Sequence, residues 1–222
     1  MASVRNILVG AAAVYVSKAT TSNADNPAAT FPTITSGASA TTVTSSKGLG
    51  DTATWRDVGY TNNGLELSYE PDFGEVAVDQ ILDAARLFKQ GQKVMLKTEF
   101  AEATLENLFI VMNQTSGYNT VNAKAGSDGS TAVGNVDNAI EIQGGSLGDY
   151  PVERSIVAVG QGPRSGSNAN SERVYYASRA VSMETSSHGV KRNEATFFPV
   201  TFRLLPLAST SNAYGKIVDR SW

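Results

Sequence analysis

One histidine, His188, and no cysteine occur among the 222 residues, so acid–base and nucleophilic chemistry has few places to reside. His188 lies in Ser186-Ser187-His188-Gly189, a polar stretch between two apolar runs, and reads as an exposed loop residue rather than a general base. Gly144-Gly145-Ser146-Leu147-Gly148 matches the G-x-S-x-G pattern of a nucleophile elbow. That elbow needs a helix directly after its serine, and Asp149-Tyr150-Pro151 breaks the chain there, so a Ser-Gly turn accounts for the match. Without cysteine there is no disulfide framework and no thiolate metal site. No G-x-x-x-x-G-K-[ST] loop is present, and Gly48-Leu49-Gly50 and Gly160-Gln161-Gly162 lack the third glycine of a dinucleotide fingerprint. Asp79, Asp83, Glu102 and Glu106 lack the spaced oxygen donors of a calcium loop and read as solvated acids. The sequence therefore predicts no catalytic residue, no cofactor and no metal. A hydrolase using Ser146 and His188 would be the exception, and it would lose turnover on Ser146→Ala.

Composition points the same way. A net charge of −3 and a pI near 5.2 argue against the broad basic surface that sequence-independent DNA binding needs. No run approaches the roughly 20 apolar residues of a membrane span, which predicts a soluble protein. Ile7–Val16, with Arg5 before it, is the one stretch resembling a targeting signal. It is short and Gly/Ala-rich, Ser17-Lys18-Ala19 makes a poor cleavage site, and an N-terminal strand over about 4–16 is the preferred reading.

The elements that would position any site are mostly strands. Residues 20–54 are largely Thr, Ser, Ala, Asn and Gly, with Asp25, Lys47 and Asp51 as the only charges. Such an arm buries too little apolar area to order itself, so a neighbouring subunit is the readiest candidate to hold it, the alternative being its own domain. Leu65, Leu67 and Tyr69 alternate with Glu66, Ser68 and Glu70, the period of a half-buried strand. Pro71-Asp72-Phe73-Gly74 reads as a turn, and Glu75–Asp79 as the returning strand of a hairpin. Asp79–Gln90 fits a short helix ended by Gly91, and Val94, Leu96, Thr98 and Phe100 form a further strand face. The clearest helix covers about Ala103–Asn113, its buried stripe being Leu105, Leu108, Phe109 and Met112. Residues after Gln114 are loop-like through Asn135. Strands follow at Ala139–Gln143, Ser155–Val159, Arg173–Met183, Thr196–Leu205 and Tyr214–Arg220, with Pro199 marking an edge or bulge. Runs of strands with one strong helix predict a mainly β fold: an antiparallel sandwich or barrel flanked by one α-helix, a single domain over 1–222 with long arms or loops.

Three blocks carry a resemblance. Gly59-Tyr60-Thr61-Asn62-Asn63-Gly64-Leu65-Glu66-Leu67-Ser68-Tyr69, then Glu75-Val76-Ala77-Val78-Asp79-Gln80, then Leu96-Lys97-Thr98-Glu99-Phe100-Ala101-Glu102-Ala103-Thr104-Leu105-Glu106-Asn107-Leu108 resemble the core of bacteriophage tail tube proteins, the major tail proteins of siphophage-like, long-tailed phages. Phe197–Pro206 and Tyr214–Arg220 resemble that family's closing strands, so about half the chain is covered. No single tripeptide is diagnostic; order and spacing carry the likeness. Residues 20–54 and the Gly-rich loops around Gly126 and Gly166 match nothing in it.

The resemblance implies a virion protein, assembled in the bacterial cytoplasm, whose copies form hexameric rings stacked into a hollow tube that conducts DNA during ejection. It further implies a tape measure protein and tail terminator or baseplate proteins as partners, with double-stranded DNA passing through unbound. A capsid decoration protein or another extracellular β-sandwich binding protein is the alternative, and would leave monomers or trimers without a lumen. If the tube reading holds, Glu66, Ser68 and Glu70, with Glu75, Ala77 and Asp79 on the partner strand, form an acidic hairpin face that could line the lumen and repel DNA. Lys93 and Lys97 would offset that charge if they shared the wall.

Overall fold

The structure is a computed structural model that describes residues 10–21, 27–32, 40–47, 53–80, 83–114, 118–121, 137–140, 142, 144, 146–163, 170–183, 186–208 and 213–222. The chain is mainly β, with 52% of it in strands and one helix among the described residues. The strands are β1 (Ala13–Ser17), β2 (Ser45–Ser46), β3 (Trp55–Asp57), β4 (Thr61–Val76), β5 (Arg86–Phe100), β6 (Tyr118–Val121), β7 (Asp137–Ile140), β8 (Arg154–Gln161), β9 (Ser171–Ser182), β10 (Phe198–Leu204) and β11 (Gly215–Ser221); the helix is α1 (Leu105–Val111). Nine strands form one sheet in the order β2-β3-β1-β8-β9-β10-β5-β4, with β11 also on β9, while β6 and β7 pair separately. Every pairing is antiparallel except β2 with β3.

Strand alternation divides the sheet's apolar residues between two cores. Val14, Val16, Ile156, Ala158, Ala177 and Ala180 project to one face, where the sheet curls until Leu96, Phe100, Val200 and Phe202 from its far end join the same cluster. Trp55, Val157, Val174 and Tyr176 project to the other face. Ala29, Phe31 and Val43 cover them, so the described parts of the 20–54 arm lie on the chain's own sheet. Polar bonds fix that cover: Ala29 N–H donates to Ser155 Oγ at 3.0 Å, Tyr176 O–H to the Ala29 carbonyl at 2.7 Å, and Thr41 N–H to both Glu172 oxygens at 3.0 Å. The Phe31 ring meets Tyr176 edge-on at 5.2 Å.

Strand positions follow the sequence reading closely in the second half. β8, β9, β10 and β11 fall on the expected segments, and Pro199 sits where β10 pairs with β5 alone, beyond its contact with β9 at residues 202–204. β1 includes the expected Val14 and Val16, both fully buried. Residues 4–9 of the expected N-terminal strand lie outside the described residues, as do the loops around Gly126 and Gly166. Three expectations are corrected. Pro71-Asp72-Phe73-Gly74 is not a turn but the continuation of a single 16-residue strand. Arg86–Gln90, expected to be helical, is the start of β5, and the hairpin turns instead between Val76 and Arg86. The loop-like stretch after Gln114 contains β6.

A further correction concerns α1. Thr104 caps it, with Oγ1 accepting from Asn107 N–H, and its buried residues are Asn107, Phe109, Ile110 and Val111. Of the expected stripe only Phe109 is fully buried; Leu108 is half-buried, Met112 is intermediate and Leu105 is 38% exposed. The helix is rotated because its sheet-facing side holds a polar group: Asn107 is fully buried above Arg56. Ile110→Ala is accordingly expected to cost about 2–5 kcal/mol, and Leu105→Ala under about 0.5 kcal/mol, as read by equilibrium denaturation.

Candidate assembly surface

Two guanidinium groups seat the helix on the sheet. Arg56 of β3 donates to Asn107 Oδ1 from Nε at 3.3 Å and from Nη2 at 2.8 Å, and to Thr104 Oγ1 at 3.0 Å. Asn107 Nδ2 in turn donates to the carbonyls of Val58 and Glu102 at 2.9 and 2.8 Å. Arg154 of β8 reaches the carbonyls of Ser17, Lys18 and Gln114, with the Phe109 ring 5.7 Å from its guanidinium carbon. Burial among these neutral groups lowers its pKa to about 10. Helix, β3 and β4 are thus clamped at one point, because Glu102 also accepts from Tyr60 N–H and Lys47. Lys47, helped by the Tyr60 N–H and by the nearby charge of Arg56, holds the Glu102 carboxyl below the ordinary carboxylate range against the opposing effect of burial.

From this clamp β4 and β5 run outward. β10 supports β5 only at residues 95–100, so beyond Val94 the two strands continue as a ribbon without a third strand among the described residues. Apolar residues lie on both of its faces: Tyr69, Phe73 and Leu87 on one, Val76 and Phe88 on the other, at exposures from 42% to 59%. Gly74 is the ribbon's one buried residue, since the Phe88 ring lies across it. A methyl group there would fall 2.6 Å from that ring. Two-stranded ribbons are marginal alone in water, and an apolar one wants cover.

The six residues expected to share an acidic face separate in two groups. Glu66 and Glu70 are exposed, with Ser68 intermediate, on the face turned away from the main core. Because β4 continues through the expected turn, alternation puts Glu75 on the opposite face, and Ala77 and Asp79 lie past the strand's end. Leu67 and Tyr69, expected to need a core, are 42% and 56% exposed. Register also brings the lysines onto the wall: Glu66 lies opposite Lys97 and Glu70 opposite Lys93. β10 adds Arg203 opposite Met95, and Glu99 accepts from Asn62 and Asn63. On this face Glu66, Glu70, Asp72 and Glu99 are matched in number by Arg86, Lys93, Lys97 and Arg203. It is charge-balanced rather than acidic.

The residues that could do chemistry stand apart from this surface. Ser146 and Asp149 close a tight turn, Ser146 N–H donating to Asp149 Oδ2 at 2.6 Å and Asp149 N–H to the Ser146 carbonyl at 3.1 Å. Gly148 takes φ 91° in that turn, and no helix lies between it and β8. His188 is exposed, its ring edge-on to Phe198 at 4.8 Å. Among the described residues no group of three or more His, Asp or Glu is close enough to hold a metal ion.

β11 pairs along β9, locked to it by Arg173 and Asp219, which face each other in register with bonds of 2.5 and 2.7 Å. Arg173 holds the Asp219 carboxyl below its usual range, against a smaller opposing effect of burial. A depressed carboxyl stabilises the fold above its ordinary pKa, near 4, and ceases to as pH falls through the lowered value. Asp219→Asn should therefore lower Tm slightly at neutral pH and narrow the gap from the parent protein in acid, measured as Tm against pH.

No protein-family model and no curated protein matches this chain.

Proposed function

We propose that this protein is a structural subunit that polymerises with copies of itself, and specifically a phage tail tube protein forming hexameric rings stacked into a conduit for DNA ejection. The observation that carries the self-assembly is the β4–β5 ribbon, apolar on both faces and extending past the last supporting strand. Burying each such side chain against a neighbour is worth about 1.5–3 kcal/mol, enough to make assembly the state in which the ribbon is stable. β4 adds 16 residues of strand with one hydrogen-bonded neighbour among the described residues, an edge of unusual length for an isolated monomer.

The finer reading rests on the resemblance, whose blocks fall on the parts that build this surface. Gly59–Tyr69 leads from the clamp into the ribbon. Ala101–Asn107 supplies Glu102, Thr104 and Asn107, each of which holds the helix entry or the start of β4. In a tube, the face bearing Glu66, Ser68 and Glu70 is free of the chain's own core and available to line the bore. Balanced charge there suits passage of DNA, since without an excess of lysine and arginine there is little counterion release to drive binding. The tape measure protein and tube-end proteins would meet the two ends of the stack, and the finished tube would reside in the virion after assembly in the host cytoplasm.

Sedimentation velocity of the purified chain over a range of concentrations tests the self-assembly. Rings and long polymers are expected; a single monomeric species at all concentrations would contradict it.

A further inference from the structure

The inner face of the β4–β5 sheet does not close fully onto β9 and β11. Between them lies an apolar cavity of about 160 Å³, with Leu67, Val94 and Leu96 on one wall and Tyr175, Tyr214 and Ile217 on the other. It opens to the surface, where Leu67 and Ile217 are 42% and 56% exposed. A cavity of about 150 Å³ with apolar walls is known to stay dry and admit a benzene ring, so this one matches a single phenyl group.

A phenyl group of suitable exposure is on the same strand pair. Phe73 is 55% exposed, whereas the other ring near the tip, Phe88, is already committed to covering Gly74. Phe73 lies six residues beyond Leu67, roughly 20 Å along an extended strand, so it cannot fold back into its own chain's cavity.

We propose that the cavity between β4–β5 and β9–β11 is a socket for Phe73 of a second copy of this chain. The inference rests on the self-assembly proposed above and names the contact that extends it. A knob and a hole at different places on one rigid element make a heterologous contact, which leaves a free hole at one end and a free knob at the other. Where its rotation does not close a ring, such a contact repeats along a line, as stacking of rings requires.

Two variants test this, Phe73→Ser for the knob and Ile217→Asp for the socket. Both positions are exposed, and unchanged thermal melts would show the fold intact; should Ile217→Asp lower the melt, Leu67→Ser, also exposed, probes the same mouth. By sedimentation velocity the parent protein should form long polymers, and each variant alone should stop at the single unstacked unit. Mixed in equal amounts, they should yield units paired once and no longer, because the one working knob meets the one working socket. Variants that polymerise like the parent would overturn the socket while leaving self-assembly standing, as would a mixture that shows no pairing. A parent protein that does not associate would overturn both.

Discussion

Asn107→Ala is expected to destabilise the monomer by about 3–5 kcal/mol, a large share of the roughly 5–15 kcal/mol that holds a domain together. The side chain is fully buried and answers four groups at once: two guanidinium nitrogens of Arg56 and the carbonyls of Val58 and Glu102. Removing it costs the Val58 carbonyl its side-chain donor and the Glu102 carbonyl one of two, and takes the Oδ1 acceptor from two nitrogens of a buried guanidinium, the costly case, since hydrogen bonds to charged groups are the strong ones. Asn107→Asp separates the terms. It keeps the acceptor for Arg56 and adds a countercharge, but it removes both N–H donors, so its loss should be smaller than alanine's. Urea denaturation of the three proteins gives the comparison. Because the clamp also sets where β4 begins, the alanine variant should lose assembly in step with stability.

Excising the arm should be comparably severe. Residues 27–32 and 40–47 cover Trp55, Val157, Val174 and Tyr176, and uncovering even part of these side chains costs on the order of 5 kcal/mol. It would also strand Glu172 of its bonds to Thr41 and leave Ser155 without the Ala29 donor. A chain lacking 27–47 is therefore expected to be unfolded or molten, with exposed apolar surface detectable by dye binding. A cooperative melt near that of the parent would show that the arm contributes little to its own domain, returning it to the intersubunit role that its composition suggests.

That arm illustrates where the sequence was legible and where it was not. Its average composition is that of a linker, and three apolar residues, Ala29, Phe31 and Val43, form its cover over the second core. Averages hide so few contacts. The second half of the chain read well because β8, β9 and β10 are buried or half-buried strands bounded by turns, and their spacing follows the pleat. The hairpin misled for a physical reason: an edge strand tolerates Pro71 and Gly74, which elsewhere signal a turn. Apolar residues on both faces of the ribbon also erase the period of two, so Asp79–Gln90 mimics a helical stripe. The helix itself was visible but its orientation was not, because patterning by apolarity assigns Asn107 to the outside. Arg56 and Arg154, buried beneath the helix, left no signal in the sequence that spacing could detect. The lysines opposite Glu66 and Glu70 became part of the same wall only once the register of β4 on β5 was known.

The proposal as a whole turns on what the assembled protein looks like end-on. Electron cryomicroscopy of polymers grown from the purified chain should show stacked rings of six subunits around an open bore, with the β4–β5 ribbon of each subunit buried against a neighbour and Glu66 and Glu70 directed toward the axis. Solid fibres, rings of another order, or particles in which the ribbon remains in solvent would contradict the account.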